Sequence, residues 1–237
     1  MWRDVIPLLA ADYDVIAPNA LGHKGGPTPG ARPTPYRDVV DAAERQLDSL
    51  AIGKAHLVGN SMGGWMALEL ARRDRALSVC AISPAGMWAL GGARNSVRSK
   101  RLRSGLRMGR RTRPILGLAY RSRLVRRFAL INVSADGGRV SRLDALTLTD
   151  DMLGCTIAED LLSTDEHFAP LDPLPCPVAV VWCEKDRVFP EREFSALVQE
   201  RLPAASYEVM PAVGHVPMLD APELVAQSIR AAIAAAA

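Results

Sequence analysis

Aromatic residues make up only 5% of this 237-residue chain, and its four cysteines, Cys80, Cys155, Cys176 and Cys183, show no C-x-x-C spacing. That scarcity argues against a disulfide framework and against a zinc site. Three of the cysteines lie in or beside apolar strand-like runs, where a reduced thiol behaves as a small hydrophobe. No metal and no cofactor is expected. No apolar run approaches the ~20 residues that a membrane-crossing helix needs, so an integral membrane protein is not expected either. The opening MWRDVIPLLAADYD sets acids on both sides of a very short apolar segment and lacks the basic flank and apolar run of a secretory leader. The expected location is the cytoplasm. Internal repeats are lacking, and so are low-complexity tracts apart from the alanine-rich end. Acids are nearly missing from Trp88 to Arg142, where fifteen Lys or Arg stand against Asp136 alone, a local +14 in a chain whose net charge is +3.

What is present is a large apolar fraction, 49%, enough to bury a core for one α/β domain or a domain carrying an insertion. Short β-branched runs alternate with helical patterns, as in parallel βαβ units. The strand candidates are Tyr13–Pro18, Ala55–Asn60, Leu77–Ser83, Val178–Cys183 and Ser206–Met210. Helices are expected over Arg37–Leu50, Met62–Arg73 and Glu191–Arg201, with a last one opening at Asp220-Ala-Pro222, where Asp220 would be the N-cap. Residues 88–165 break the alternation. Leu116, Leu118, Leu124, Val125, Phe128 and Leu130 recur at mixed three-to-four spacings, and Gly91-Gly92 and Gly137-Gly138 mark turns, so several short helices are expected. Leucines interleaved with the arginines, Leu102, Leu106, Leu116 and Leu124 among them, make the arginines the wet faces of amphipathic helices and argue against nucleic acid as a partner. An anionic substrate, a docked partner or an acidic membrane fits the charge better. The proline-rich LDPLPCP, Leu171–Pro177, returns the chain to the next strand.

The chemistry gathers at strand ends. LVGNSMGGW, Leu57–Trp65, breaks a strand pattern into Gly59-Asn60-Ser61-Met62-Gly63, a G-x-S-x-G at a strand-to-helix switch. A serine on so sharp a turn is held in a strained conformation, and the flanking glycines remove side chains that would collide there. Gly64 lets the helix pack close. A serine nucleophile needs a base, and the base needs a carboxylate to hold its tautomer. Asp186 follows VAVVWCEK and His215 follows YEVMPAVG, both just past strand candidates, 125 and 29 residues apart in the order Ser, Asp, His. In open α/β sheets such strand ends converge on one edge.

The pieces APNALGH, LVGNSMGGW, CEKDRVFP and GHVPMLDAPE together resemble the α/β-hydrolase fold over about Met1–Gly86 and Pro170–Ala237. The resemblance implies a mostly parallel sheet flanked by helices. It implies a core over residues 1–87 and 166–237, and a helical, Arg-rich cap over 88–165 for which no motif can be carried over. It implies Ser61 as nucleophile, His215 as general base and then acid, Asp186 as its orienting partner, and the Met62 N–H as an oxyanion donor. The expected activity is hydrolysis of carboxylic esters or related acyl compounds through an acyl-enzyme. GNSMGG is also similar to the elbow of hydrolases that cleave carbon–carbon bonds in ring-fission products, although Val216 stands where those usually carry tryptophan. Dehalogenases and epoxide hydrolases of this fold use an aspartate nucleophile, which Ser61 argues against. A non-catalytic scaffold keeping the fold is the third alternative. The remaining candidates have structural readings. His56 is a packed strand residue, His167 a surface residue, Asn19 a turn residue and Glu184 a weaker acid than Asp186; His23 is a marginal substrate contact. In relatives of this kind the Trp-x-x-Val-x-Pro-x-Leu helix follows three strands and a His-Gly loop that supplies a second oxyanion donor. The expectation is therefore an N-terminally truncated chain in which the strands at Tyr13–Pro18 and Ala55–Asn60 either pair directly or keep open edges.

Overall fold

The computed structural model describes residues 1–89 and 97–236. Four parallel strands, β1 (Ala55–Asn60), β2 (Ala76–Ile82), β3 (Val178–Cys183) and β4 (Ser206–Met210), lie side by side in chain order. Alternate residues of the central strands face opposite ways. Val79, Ala81, Val180 and Trp182 join one core with Tyr36 and Val40 of α2 (Tyr36–Ser49), Trp65 and Leu68 of α3 (Met62–Arg72) and Phe194 of α8 (Glu191–Arg201). Cys80, Ile82, Val181 and Cys183 join a second core with Leu9 of α1 (Ile6–Leu9) and Val225 and Ile229 of α9 (Pro222–Ala234). The sheet is therefore apolar on both faces, which is why β2 and β3 read as continuous hydrophobic runs.

Two expectations about elements need correction. Tyr13–Pro18 is not a strand: it joins no ladder, with Ile16 about half exposed, and the outer edge of β1 is unpaired among the described residues. A β-branched run becomes a strand only where a neighbour completes its ladder, and none lies beside it here. Asp220 does not cap α9: the N-cap is Ala221 and no side chain bonds there, because the Asp220 carboxylate is engaged elsewhere.

Between β2 and β3 lie helices α4 (Val97–Ala119), α5 (Arg123–Ala129), α6 (Arg142–Leu153) and α7 (Ala158–Leu161). They are not all short, since α4 runs for 23 residues and carries Pro114 inside it. Gly137-Gly138 lies in a turn, while Gly91-Gly92 falls outside the described residues. Leu106 and Leu116 are buried and Leu102 half-buried, but Leu124 is exposed, so the leucines are not uniformly the inward faces. Arg126 is buried and anchors this region by donating to the carbonyls of Tyr120, Gly138 and Val140.

The cysteines are unpaired. Burial pushes the thiols of Cys80 and Cys183 up to about 12, so neither has appreciable thiolate at neutral pH. In the native protein at mildly alkaline pH, a thiol reagent is expected to miss Cys80 and Cys183 and to reach the half-buried Cys176 first. After unfolding, all four should react. Peptide mapping of the labelled protein checks this, and early labelling of Cys183 would contradict the packing described.

Candidate active site

Strand β1 ends at Asn60 and α3 begins at Met62, so Ser61 alone makes the corner, at φ 56°, ψ −116°. Side chains avoid this region, and a serine persists there only where its surroundings hold it. Three backbone bonds do so. Ser61 N donates to Ile82 O at 2.9 Å, and Ser61 O accepts from Ala85 N at 2.9 Å and Trp65 N at 3.2 Å. A Cβ at Gly59 would collide with the Gly63 carbonyl, and one at Gly64 would sit 3.0 Å from Pro84 Cβ. A Cβ at Gly63, by contrast, would meet nothing within 4 Å. The steric demand therefore falls on Gly59 and Gly64, not on the glycines either side of the serine equally.

Past the end of β3, Asp186 is buried. Its Oδ1 accepts from the N–H groups of Val188 at 2.8 Å and Phe189 at 2.7 Å, and its Oδ2 meets His215 Nδ1 at 2.6 Å. A carboxylate only accepts, so Nδ1 carries the proton and Nε2 is left with its lone pair. The Phe189 ring stands edge-on to the His215 imidazole, with centroids 5.3 Å apart. Asn60 Nδ2 donates to His215 O at 2.9 Å and to Ile82 O at 3.2 Å, tying the residue before Ser61 to the histidine loop. Ser61 Oγ itself makes no hydrogen bond among the described residues, a looseness common before substrate binds. The Met62 N–H lies at the free N-terminus of α3, and the Met62 carbonyl accepts from the buried Tyr36 hydroxyl at 2.7 Å.

Among the described residues, none of the other candidates hydrogen-bonds to Ser61, Asp186 or His215. Glu184 Oε2 accepts from Ala212 N at 2.6 Å and braces the turn after β4. His56 Nδ1 meets Ser78 Oγ at 2.8 Å across β1 and β2. His23 Nδ1 approaches Leu21 O at 3.2 Å and Cys155 Sγ at 3.9 Å, and the contact with Cys155 raises the His23 pKa. His167 is half-buried at the end of the insertion, and Asn19 is exposed. Among the described residues no cluster of three His, Cys, Asp or Glu side chains could hold a metal ion, and no helix is long and apolar enough to cross a membrane.

Sequence reasoning missed the role of Asp220. Its Oδ1 accepts from Ser134 Oγ at 2.5 Å, and its Oδ2 accepts from Ala135 N at 2.9 Å and Gly214 N at 2.8 Å. Beside it Val216 N donates to Val133 O at 2.8 Å, and a Cβ at Gly214 would lie 2.6 Å from Ala135 N. One carboxylate thus clamps the insertion onto the loop that carries His215. Its position two residues before a proline was the available signal, and it pointed to a helix cap instead. Asp220→Ala leaves two backbone N–H groups without an acceptor and is expected to cost on the order of 2–4 kcal/mol, read as a lowered urea midpoint. A midpoint unchanged from wild type would mean that the clamp carries no weight.

The family model described as "Alpha/beta hydrolase family" matches residues 1–228. The chain belongs to the alpha/beta hydrolase family. This alpha/beta hydrolase is 36% identical to an epoxide hydrolase, EphH, of Mycobacterium tuberculosis over 202 residues, which cover 81% of this chain and 91% of that protein. It is 51% identical to a 2-hydroxymuconate semialdehyde hydrolase of a Pseudomonas strain over 73 residues, 30% of this chain and 25% of the relative. A meta-cleavage product hydrolase from Pseudomonas fluorescens superposes with a TM-score of 0.70 over 98% of this chain and 85% of its own, at 22% identity. That last likeness concerns the fold.

Proposed function

We propose that this hydrolase cleaves carboxylic esters or related acyl compounds through an acyl-enzyme on Ser61. The observation that carries the reading is the 2.6 Å contact of His215 Nδ1 with the buried Asp186 carboxylate, beside a serine held at positive φ on a strand-to-helix corner. Nε2 of His215 takes the Ser61 proton as Oγ bonds to the substrate carbonyl carbon. The carbonyl electron pair moves onto oxygen, where the Met62 N–H and the α3 dipole stabilise it. Collapse expels the alkoxide, which receives the proton from His215. Water then repeats the sequence and frees the acid and Ser61. Asp186 keeps its charge throughout and stabilises the imidazolium.

A second reading, hydrolysis of a carbon–carbon bond in a ring-fission product, is favoured by the stretch shared with the 2-hydroxymuconate semialdehyde hydrolase. Its acyl half would follow the same course; the difference is a carbon leaving group that must be protonated. Epoxide opening, suggested by the name of the relative from Mycobacterium tuberculosis, fits Ser61 poorly. A carboxylate nucleophile would give an ester that water can cleave, whereas a serine alkoxide would give an ether that it cannot.

A short p-nitrophenyl ester tests the reading. A burst of p-nitrophenol stoichiometric with enzyme, followed by a slower steady rate, is expected for wild type, and His215→Ala should lose both. Turnover of a styrene-oxide-type epoxide that survives Ser61→Ala would overturn it.

A further inference from the structure

From residue 97 to 135 the sequence contains no Asp or Glu. On α4, Met108, Arg111, Ile115 and Leu118 fall within one arc of a 3.6-residue helix, opposite the buried Leu106 and Leu116. Leu118 is 70% exposed and Ile115 63%. The chain then turns at Tyr120–Ser122 into α5, where Leu124 and Phe128, one helical turn apart, are 66% and 70% exposed. Arg101, Arg107 and Arg111 on α4, Arg121 in the turn, and Arg123 and Arg127 on α5 share these two helices and their connection, all exposed and none in an ion pair among the described residues. In contrast, Arg110 and Arg113, on the flank of α4, do pair, with Glu159 and Asp150. The outward faces of two consecutive helices thus combine large apolar side chains with uncompensated guanidinium groups.

We infer that this face docks the protein on an anionic lipid surface. A lipid surface answers both halves of the pattern: its headgroups attract the arginines, and the boundary beneath accepts Ile115, Leu118, Leu124 and Phe128. A nucleic acid backbone would pair with the arginines and leave the apolar side chains in water. A second copy docked face to face would cover the apolar groups but would set two strongly basic helix pairs against each other.

Flotation of the full chain with vesicles tests the inference. Binding is expected to vesicles of phosphatidylcholine mixed with phosphatidylglycerol, not to phosphatidylcholine alone, and to weaken as salt rises. Arg107→Gln/Arg111→Gln/Arg127→Gln should weaken it on the order of a hundredfold. Leu118→Ser/Phe128→Ser should also lose binding. Both variants alter exposed positions and should keep the wild-type far-UV circular dichroism; Ile115→Ser/Leu124→Ser is a second apolar variant should the first not fold. Four results would overturn the inference: no binding to anionic vesicles at low salt, equal binding to neutral ones, binding that both apolar variants leave untouched, or a discrete dimer that Leu118→Ser/Phe128→Ser dissociates. Tight retention on duplex DNA without vesicle binding would assign the face to nucleic acid instead.

Discussion

Ser61→Ala is expected to lower hydrolysis of an activated ester by about 10⁴- to 10⁶-fold while leaving the fold intact. The serine hydroxyl makes no hydrogen bond among the described residues, so its removal orphans no buried group, and the three backbone bonds that hold the corner do not involve the side chain. His215→Ala should cost about as much, because in the proposed mechanism Nε2 is the base that takes the hydroxyl proton. Asp186→Asn should cost on the order of 10⁴-fold. An amide can offer Nδ1 an N–H and so favours the wrong tautomer. In the proposed mechanism the three groups act as one unit, so these losses should not add: Ser61→Ala/His215→Ala should be no slower than the worse single variant. Losses that multiply would mean that Ser61 and His215 serve separate steps.

Gly59→Ala should prevent folding or cost on the order of 4 kcal/mol or more. Gly63→Ala should be neutral or raise stability by up to about 1 kcal/mol. The two glycines are symmetric about Ser61 in the sequence, but their surroundings differ. At Gly59 a methyl group would strike the Gly63 carbonyl, which the first turn of α3 fixes in place, so relief requires the whole corner to open. At Gly63 the same methyl points into open space on a helical residue, where alanine is the better helix former. Urea midpoints of the two variants decide the matter. Equal destabilisation would contradict the corner as described, and a tolerated Gly59→Ala would show that β1 and α3 can separate.

Most of the elements could be read from sequence because their determinants are local. Glu191–Arg201 follows a proline with acids in its first turn, and β3 and β4 are short apolar or alternating runs bounded by turn residues, so their limits were legible. The corner at Ser61 and the residues past β3 and β4 announced themselves because glycine, proline and charged residues interrupt apolar runs there. Contacts between segments distant in sequence left no such trace. Asn60 reaches the His215 carbonyl across 155 residues, and Asp220 reaches Ser134 across 86. Tyr13–Pro18 failed for the opposite reason: its composition suits a strand, but pairing is a property of the neighbour. The insertion helices were legible as helices, yet periodicity does not say which apolar residues find cover. Leu106 and Leu116 do, whereas Leu118 and Leu124 do not.

The central claim is that Ser61 is a nucleophile activated by His215. Reaction with a fluorophosphonate followed by peptide mass spectrometry tests it most directly. The account predicts one phosphonyl group per chain, carried on the peptide containing Gly59–Gly64 and located on Ser61, with no adduct on Ser61→Ala and strongly slowed labelling of His215→Ala. A folded wild-type protein that takes up no probe, or takes it up at a residue other than Ser61, would contradict it.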